Sequence, residues 1–372
     1  MTMKSLGDVA RFINGAAFKP TDWCDEGIPI IRIQNLTGTS DKFNYTTRVV
    51  KPELVVEPGD LLVSWSATLD VYRWIGPTGL LNQHIFKVLP NKGVDPDYLF
   101  FALKNALAEL NSKTHGSTMK HVVRGDFEST MIQVPAINEQ KRIVDMLSCA
   151  ESIVRLRREA QNKAAELLPA IFLDMFGDPA MNPKGWQTFK FGEVGTLDRG
   201  KSRHRPRDAK ELYDGPYPFI QTGDVSNSGG QIVKFSTTYS ELGLKQSRLW
   251  DAGTLCITIA ANIAKTGVLD FDACFPDSVV GFLPNEKVTT EYVQAWLGFL
   301  QPMLEKNAPQ AAQKNINLEI LRGLPIPVPP IELQQVFEDR CNSVNAIQDL
   351  QNDGADRAQA TFRSLLSAAF KS

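Results

Sequence analysis

Val134-Pro135-Ala136-Ile137-Asn138-Glu139-Gln140 and, 194 positions later, Val328-Pro329-Pro330-Ile331-Glu332-Leu333-Gln334 carry the same signal. An apolar residue held extended by the proline after it is followed by a stretch of helical spacing. The register between the two heptads holds outward in both directions. Gly59 and Leu61 meet Gly253 and Leu255, and Leu89-Pro90-Asn91 meets Leu283-Pro284-Asn285. Val94 and Tyr98 meet Val288 and Tyr292, and Lys120 meets Lys314. Towards the start the shift falls to 189 at Pro29 and Pro218, and to 185 where Leu6-Gly7-Asp8-Val9 resembles Phe191-Gly192-Glu193-Val194. Towards the end it rises to 198, with Leu167-Leu168 and Phe172 matching Leu365-Leu366 and Phe370. Loop insertions and an added helical turn produce such drifts, and chance does not keep this order over a whole half. The chain is a duplicated unit.

Each copy begins with short strand-like runs broken by Gly and Pro: Ile28 to Ile33, Asp60 to Trp65 and Ile85 to Leu89, then Tyr217 to Thr222, Thr254 to Ala260 and Val279 to Leu283. A helical stretch follows in each, around 97–111 and 291–305. Each copy closes with a long helix. Its stripe runs Ile143, Leu147, Ala150, Val154, Ala164, Leu168, Ile171 and Met175 in the first, with Arg157 and Gln161 where the stripe lapses. In the second it runs Phe337, Cys341, Val344, Ile347, Gln351, Ala358, Phe362, Leu365 and Ala369. One apolar stripe needs another helix to cover it. Each helix should span on the order of 55 Å, with Pro169 and Gly354 as points of kinking or weakness.

The expected architecture is α+β: two tandem α/β domains separated by two long helices that pair as an antiparallel coiled coil, with an internal pseudo-two-fold. The expected divisions are 1–137, 138–178, 179–331 and 332–372. Such a chain presents two similar, non-identical faces, and suits an asymmetric split site better than the palindrome a symmetric dimer reads.

Composition narrows the function. With 372 residues, 40 Lys+Arg against 42 Asp+Glu and a net charge of −2, the chain is no polycation. Five scattered cysteines without a CxxC spacing fit a reducing cytoplasm and no disulfide or zinc framework. No apolar run is long enough for a membrane span. The four histidines show no HExxH, and no GxSxG or GxGxxG stands in the required context. Nothing in the sequence requires an enzyme.

Gly195-Thr196-Leu197-Asp198-Arg199-Gly200-Lys201-Ser202 matches the phosphate-loop pattern GxxxxGK[ST]. A true phosphate loop needs a strand before it and a helix after it. The run that follows, Arg203-His204-Arg205-Pro206-Arg207, has no helical periodicity, and the first copy keeps only the second glycine, as Gly15. The same residues read better as a basic contact loop: Lys201, Arg203, Arg205 and Arg207 alternate, and cations of this kind supply most non-specific affinity for nucleic acid. A second polar segment carries Lys113, His115, Thr118 and Lys120, ahead of Arg124. Its counterpart carries Gln313, Lys314 and Asn315. Such side chains reach phosphates and base edges. Arg32, Gln34 and Asn35, with Gln221, Thr222 and Asp224, are weaker candidates by repeat position.

The layout resembles the DNA specificity subunits of type I restriction-modification systems, over essentially the whole chain. Leu333 stands where that family often has Glu, and Pro169 interrupts the central helix. The resemblance implies a non-catalytic subunit, cytoplasmic, whose two target-recognition domains each read half of a bipartite double-stranded DNA site. It implies that the helices set the spacer and dock two methyltransferase subunits, with restriction subunits joining that core. No cofactor is expected on this chain, since S-adenosylmethionine and ATP belong to partner subunits. Lys113, His115, Thr118, Lys120 and Arg124 would then serve the first recognition domain, and Lys201, Arg203, Arg205, Arg207, Gln313, Lys314 and Asn315 the second. Ile143, Leu147, Val154, Leu168, Ile171, Val344, Ile347, Phe362 and Leu365 would form the coiled coil and partner face. The alternatives are a nucleotide hydrolase built on Gly195 to Ser202 and a coiled-coil scaffold that binds only proteins.

Overall fold

The computed structural model describes residues 2–66, 68–113, 124–260, 262–307 and 316–371. It divides into two compact units: Met1–Glu159 with Asp353–Ser372, and Ala160–Asn352. The architecture is α+β, and both units are built to one plan.

In unit 1 the first sheet is antiparallel, in the order Ala10–Asn14, Ile85–Pro90, Leu61–Ser64, Asp70–Arg73. A second sheet runs Asn44–Thr46, Ile28–Ile31, Gly79–Leu81, Val55–Val56, its central pair parallel. Thr2–Ser5 pairs separately with Met131–Val134. Unit 2 repeats all three. Gly195–Arg199, Val279–Pro284, Leu255–Thr258 and Thr266–Leu269 make the first sheet, extended by Gln231–Ile232. Thr237–Tyr239, Tyr213–Phe219, Ala273–Cys274 and Leu249–Trp250 make the second, and Gln187–Lys190 pairs with Pro325–Val328. Leu61–Ser64 and Leu255–Thr258 are buried on both faces, which is why their sequences run apolar instead of alternating. The strand expected from Ile28 to Ile33 stops at Ile31: Asn35 Oδ1 accepts from Arg32 N–H at 3.0 Å and turns the chain into the short helix Ile33–Leu36.

Helix Pro96–Lys113 packs on the first sheet of unit 1, and Thr290–Asn307 does the same in unit 2. The long helices run Ile137–Phe176 and Ile331–Phe370, 40 residues each. The first starts six residues before its apolar stripe. Ala136 O, freed by the turn after Pro135, accepts from both Glu139 and Gln140 N–H. Within unit 1, Ile143, Leu147 and Val154 share a core with Phe362 and Leu366, and Arg158 Nη2 donates to Gln359 Oε1 at 3.2 Å. Within unit 2, Phe172 and Phe176 pack on Phe337, Gln161 bonds Asn352, and Gln348 Nε2 donates to Ala164 O at 2.9 Å. In each unit the paired segments therefore run antiparallel. Both helices continue through Pro169 and Gly354. Burial of Phe172 and Phe176 just past the proline outweighs one lost helical bond. Gly354 leaves room for Arg157, whose Nη1 would lie 3.1 Å from a Cβ there.

The joint between sheets and helices is one buried glutamine per unit. Gln140 Oε1 accepts from Asp95 N–H at 2.8 Å, and its Nε2 donates to Gly93 O and Pro135 O at 3.1 and 2.8 Å. Gln334 does the same with Thr289, Lys287 and Pro329, at 2.9, 2.9 and 2.8 Å. Both side chains are fully buried. Tyr98 OH donates to Gln133 O, and Tyr292 OH to Pro327 O, tying the same elements.

Gln140→Ala leaves one backbone donor and two acceptors without this partner, the bond to Pro135 O buried and the other two partly so. Each unsatisfied group costs about 1–3 kcal/mol, so the loss should reach about 2–4 kcal/mol once relaxation admits some water. Chemical denaturation measures it, and a loss under about 1 kcal/mol would show that the joint does not depend on this residue.

Candidate nucleic-acid interface

The GxxxxGK[ST] stretch resolves as structure. Gly195–Arg199 is a strand, and the residues after it form no helix until the short turn Lys210–Leu212. Gly195 is small because a Cβ there would lie 2.4 Å from Leu283 O, and one at Gly200 would lie 2.2 Å from Phe275 O. Gly15, the counterpart of Gly200, meets Asn82 O at 2.0 Å in the same way. Close backbone approach requires the glycine. The geometry of a phosphate loop is absent, and the nucleotide-hydrolase alternative falls with it.

The basic loop that follows is braced by backbone contacts. Gln246 Oε1 accepts from the N–H of both Arg203 and His204, and Ser247 Oγ donates to Lys201 O at 2.8 Å. Its four cations divide in two. Arg205 Nη1 donates to Ser202 O and His204 O, and Arg207 Nη2 donates to both carboxylate oxygens of Asp277, at 3.1 and 2.9 Å. Lys201 and Arg203 are exposed, and among the described residues their side chains make no hydrogen bond or ion pair. Arg124 is exposed but tied to its own unit: Nε donates to Glu128 Oε1 at 2.8 Å, Nη2 donates to Phe12 O at 3.1 Å, and the guanidinium lies 5.7 Å from the Phe86 ring centre. Arg322 repeats that bond in unit 2, onto Leu197 O at 2.6 Å. His115, Thr118, Lys120, Gln313, Lys314 and Asn315 lie outside the described residues. So does the side chain of Lys113, whose backbone ends helix Pro96–Lys113.

Each unit has a cleft lined in part by the same turn of the repeat, at Arg32 and Gln34 in one and at Gln221 and Asp224 in the other. In unit 1 a cleft of about 200 Å³ is lined by Phe18, Trp23, Arg32, Gln34, Gln83 and His84, among others. Arg32 Nη1 donates to Asn44 Oδ1 at 3.0 Å, and the guanidinium lies 5.5 Å from the Trp23 ring centre. His84 sits 5.5 Å from the Trp65 ring, and its Nε2 is 3.2 Å from Gln83 Nε2. In unit 2 a cleft of about 560 Å³ is lined by Gln221, Asp224, Asn227, Ser228, Gln231 and Lys234, among others. Arg32, Gln34, Gln221 and Asp224, weak candidates by position, thus line the clefts. Phe18, Trp23, Gln83 and His84 escaped the sequence reading because they come from separated loops without periodicity.

The helix residues expected at a seam are mostly inward. Ile143, Leu147, Val154, Val344 and Phe362 are buried, while Leu168, Ile171 and Leu365 are half-buried against the cores. Ile347 is exposed, as are Met146, Ile153, Leu156 and Leu350, which the stripe did not include. Among the described residues no group of three His, Cys, Asp or Glu side chains is placed to hold a metal, and no helix is long and apolar enough to cross a membrane. Burial raises the Cys256 and Cys274 thiols. Burial, with the Glu291 and Glu338 charges, pushes Cys341 up to about 12. None of the three is a thiolate at neutral pH.

Comparison with known proteins agrees with this arrangement. The family model for the type I restriction modification DNA specificity domain matches residues 1–166 and again 183–352. The chain is 22% identical, over 407 aligned positions, to the type I restriction enzyme EcoBI specificity subunit of Escherichia coli, covering 99% of this chain and 85% of that one. It is 23% identical to the MjaVIII specificity subunit of Methanocaldococcus jannaschii, covering 97% and 90%. Its fold is similar to the type I restriction-modification S subunit from M. genitalium, with a TM-score of 0.54 at 14% identity over 100% and 96% of the two chains. A chain from a structural study of type I R-M assembly and conformational transition gives a TM-score of 0.61 at 19% identity, over 99% and 97%. Matched in both of its halves, the chain belongs to the type I restriction-modification DNA specificity family.

Proposed function

We propose that each unit is a target-recognition domain that reads one half of a bipartite, asymmetric double-stranded DNA site. The long helices set the unread spacer and dock two methyltransferase subunits, to which restriction subunits can add. The chain supplies no catalysis. S-adenosylmethionine and ATP are bound by the partner subunits, and the complex works in the cytoplasm, where the five unpaired cysteines stay reduced. The observation that carries the reading is the pair of clefts: one scaffold, used twice, with different side chains at corresponding points. A duplicated reader whose copies differ recognises two different half-sequences. The near-neutral net charge fits a clamp in which partner subunits share the neutralisation of phosphates.

Mapping of methylated adenines in cells that co-express the chain with its modification subunit tests this. A split, asymmetric motif should appear only when the chain is present. Exchange of residues 1–137 for those of another specificity subunit should change one half-site alone. An unchanged motif with an active methyltransferase overturns the reading.

Charge contacts give a second test. Lys201→Ala and Arg203→Ala should each weaken DNA binding and lower the slope of log K against log salt by about one. Arg124→Ala should leave that slope unchanged and lower the stability of unit 1, since its guanidinium is committed to Phe12 O and Glu128. Equal slope changes for all three variants would contradict the division.

A further inference from the structure

Arg32 and Gln221 occupy one position of the repeat with one backbone geometry. Each is extended, at φ −114°, ψ 164° and φ −105°, ψ 169°, ahead of the short helices Ile33–Leu36 and Thr222–Ser226. The N–H of each donates to the side chain three residues on, Asn35 Oδ1 at 3.0 Å and Asp224 Oδ2 at 2.8 Å. The same turn therefore presents an arginine to one cleft and a glutamine to the other.

The chemistry of the two side chains differs in kind. The Arg32 guanidinium is gripped by Asn44 on one edge and faces Trp23, so little freedom remains to be lost on binding. Its other N–H groups form a planar pair of donors, the complement of guanine O6 and N7. Gln221 offers one donor and one acceptor, the complement of adenine N7 and N6. Among the described residues its amide makes one long contact, Nε2 to Thr237 Oγ1 at 3.4 Å. Asp224 is taken up by the Gln221 N–H and Ser236 Oγ.

We infer that Arg32 selects a guanine in the half-site read by unit 1, and that Gln221 selects an adenine at the corresponding place in the half-site read by unit 2. The inference rests on the reading in which each unit recognises one half-site.

The test uses the full chain assembled with its modification subunits, the methylated-adenine map, and competition by duplexes altered at single base pairs. Arg32→Gln should relax one guanine of the first half-site or convert it to adenine, with discrimination at that pair falling about 10- to 100-fold. The second half-site should stay intact. Arg32→Lys, which keeps the charge and loses the fork, should lose the same discrimination yet keep the salt slope. Gln221→Arg should replace an adenine by guanine in the second half-site, and it decides the matter if the Arg32 variants do not assemble. Variants that keep the original motif, or a first half-site without guanine, overturn the inference while the domain exchange still changes one half-site. If the exchange itself leaves the motif unchanged, the underlying reading fails instead.

Discussion

Three hydrogen bonds from one buried amide hold each long helix to its sheet domain. Gln140 and Gln334 sit one turn into their helices and reach back to the strand end before the helix and to the turn that opens the shorter helix. Of the three backbone groups each satisfies, the Pro135 or Pro329 carbonyl is buried, where an unmet acceptor costs more than a surface hydrogen bond gains. Three residues on, at Ile143 and Phe337, the apolar seam begins. The amide thus sets the rotation of the helix before any apolar contact is made, and that rotation decides which side chains enter the core.

From this joint follows a division of labour within each unit. The elements near the long helices are tied by matched bonds in both copies: glutamine, tyrosine on Gln133 O and Pro327 O, asparagine on Asp8 O and Glu193 O, arginine on Phe12 O and Leu197 O. The clefts share only their backbone turn. On that turn one copy carries arginine and the other glutamine, each with its own partners. A protein that must read two different sequences needs this separation: recognition can diverge without disturbing the core that positions it.

Charge is distributed with similar economy. In the basic loop Arg205 bonds backbone carbonyls and Arg207 pairs with Asp277, while Lys201 and Arg203 are left for solvent or a polyanion. Counting basic residues in a run overstates a binding site whenever some of them serve the fold, and Arg124, equally basic in sequence, belongs to the fold as well.

The sequence by itself determined the duplication, the α+β layout and the two long helices, because repeat register and 3.6-residue spacing are local, additive signals. It also placed Arg32, Gln34 and Gln221 at matching points, through the register alone. No apolar periodicity marks the first turn of the central helix, whose start at Ile137 follows the Pro135 boundary. Only the tertiary structure decided that Gly200 answers to a neighbouring carbonyl instead of a phosphate. It alone tied Arg124 to Phe12 O and Glu128, and it gathered Phe18, Trp23, Gln83 and His84 into one cleft. Those outcomes depend on which backbone atoms and rings arrive from distant segments, and the spacing of residues along a chain carries no record of that.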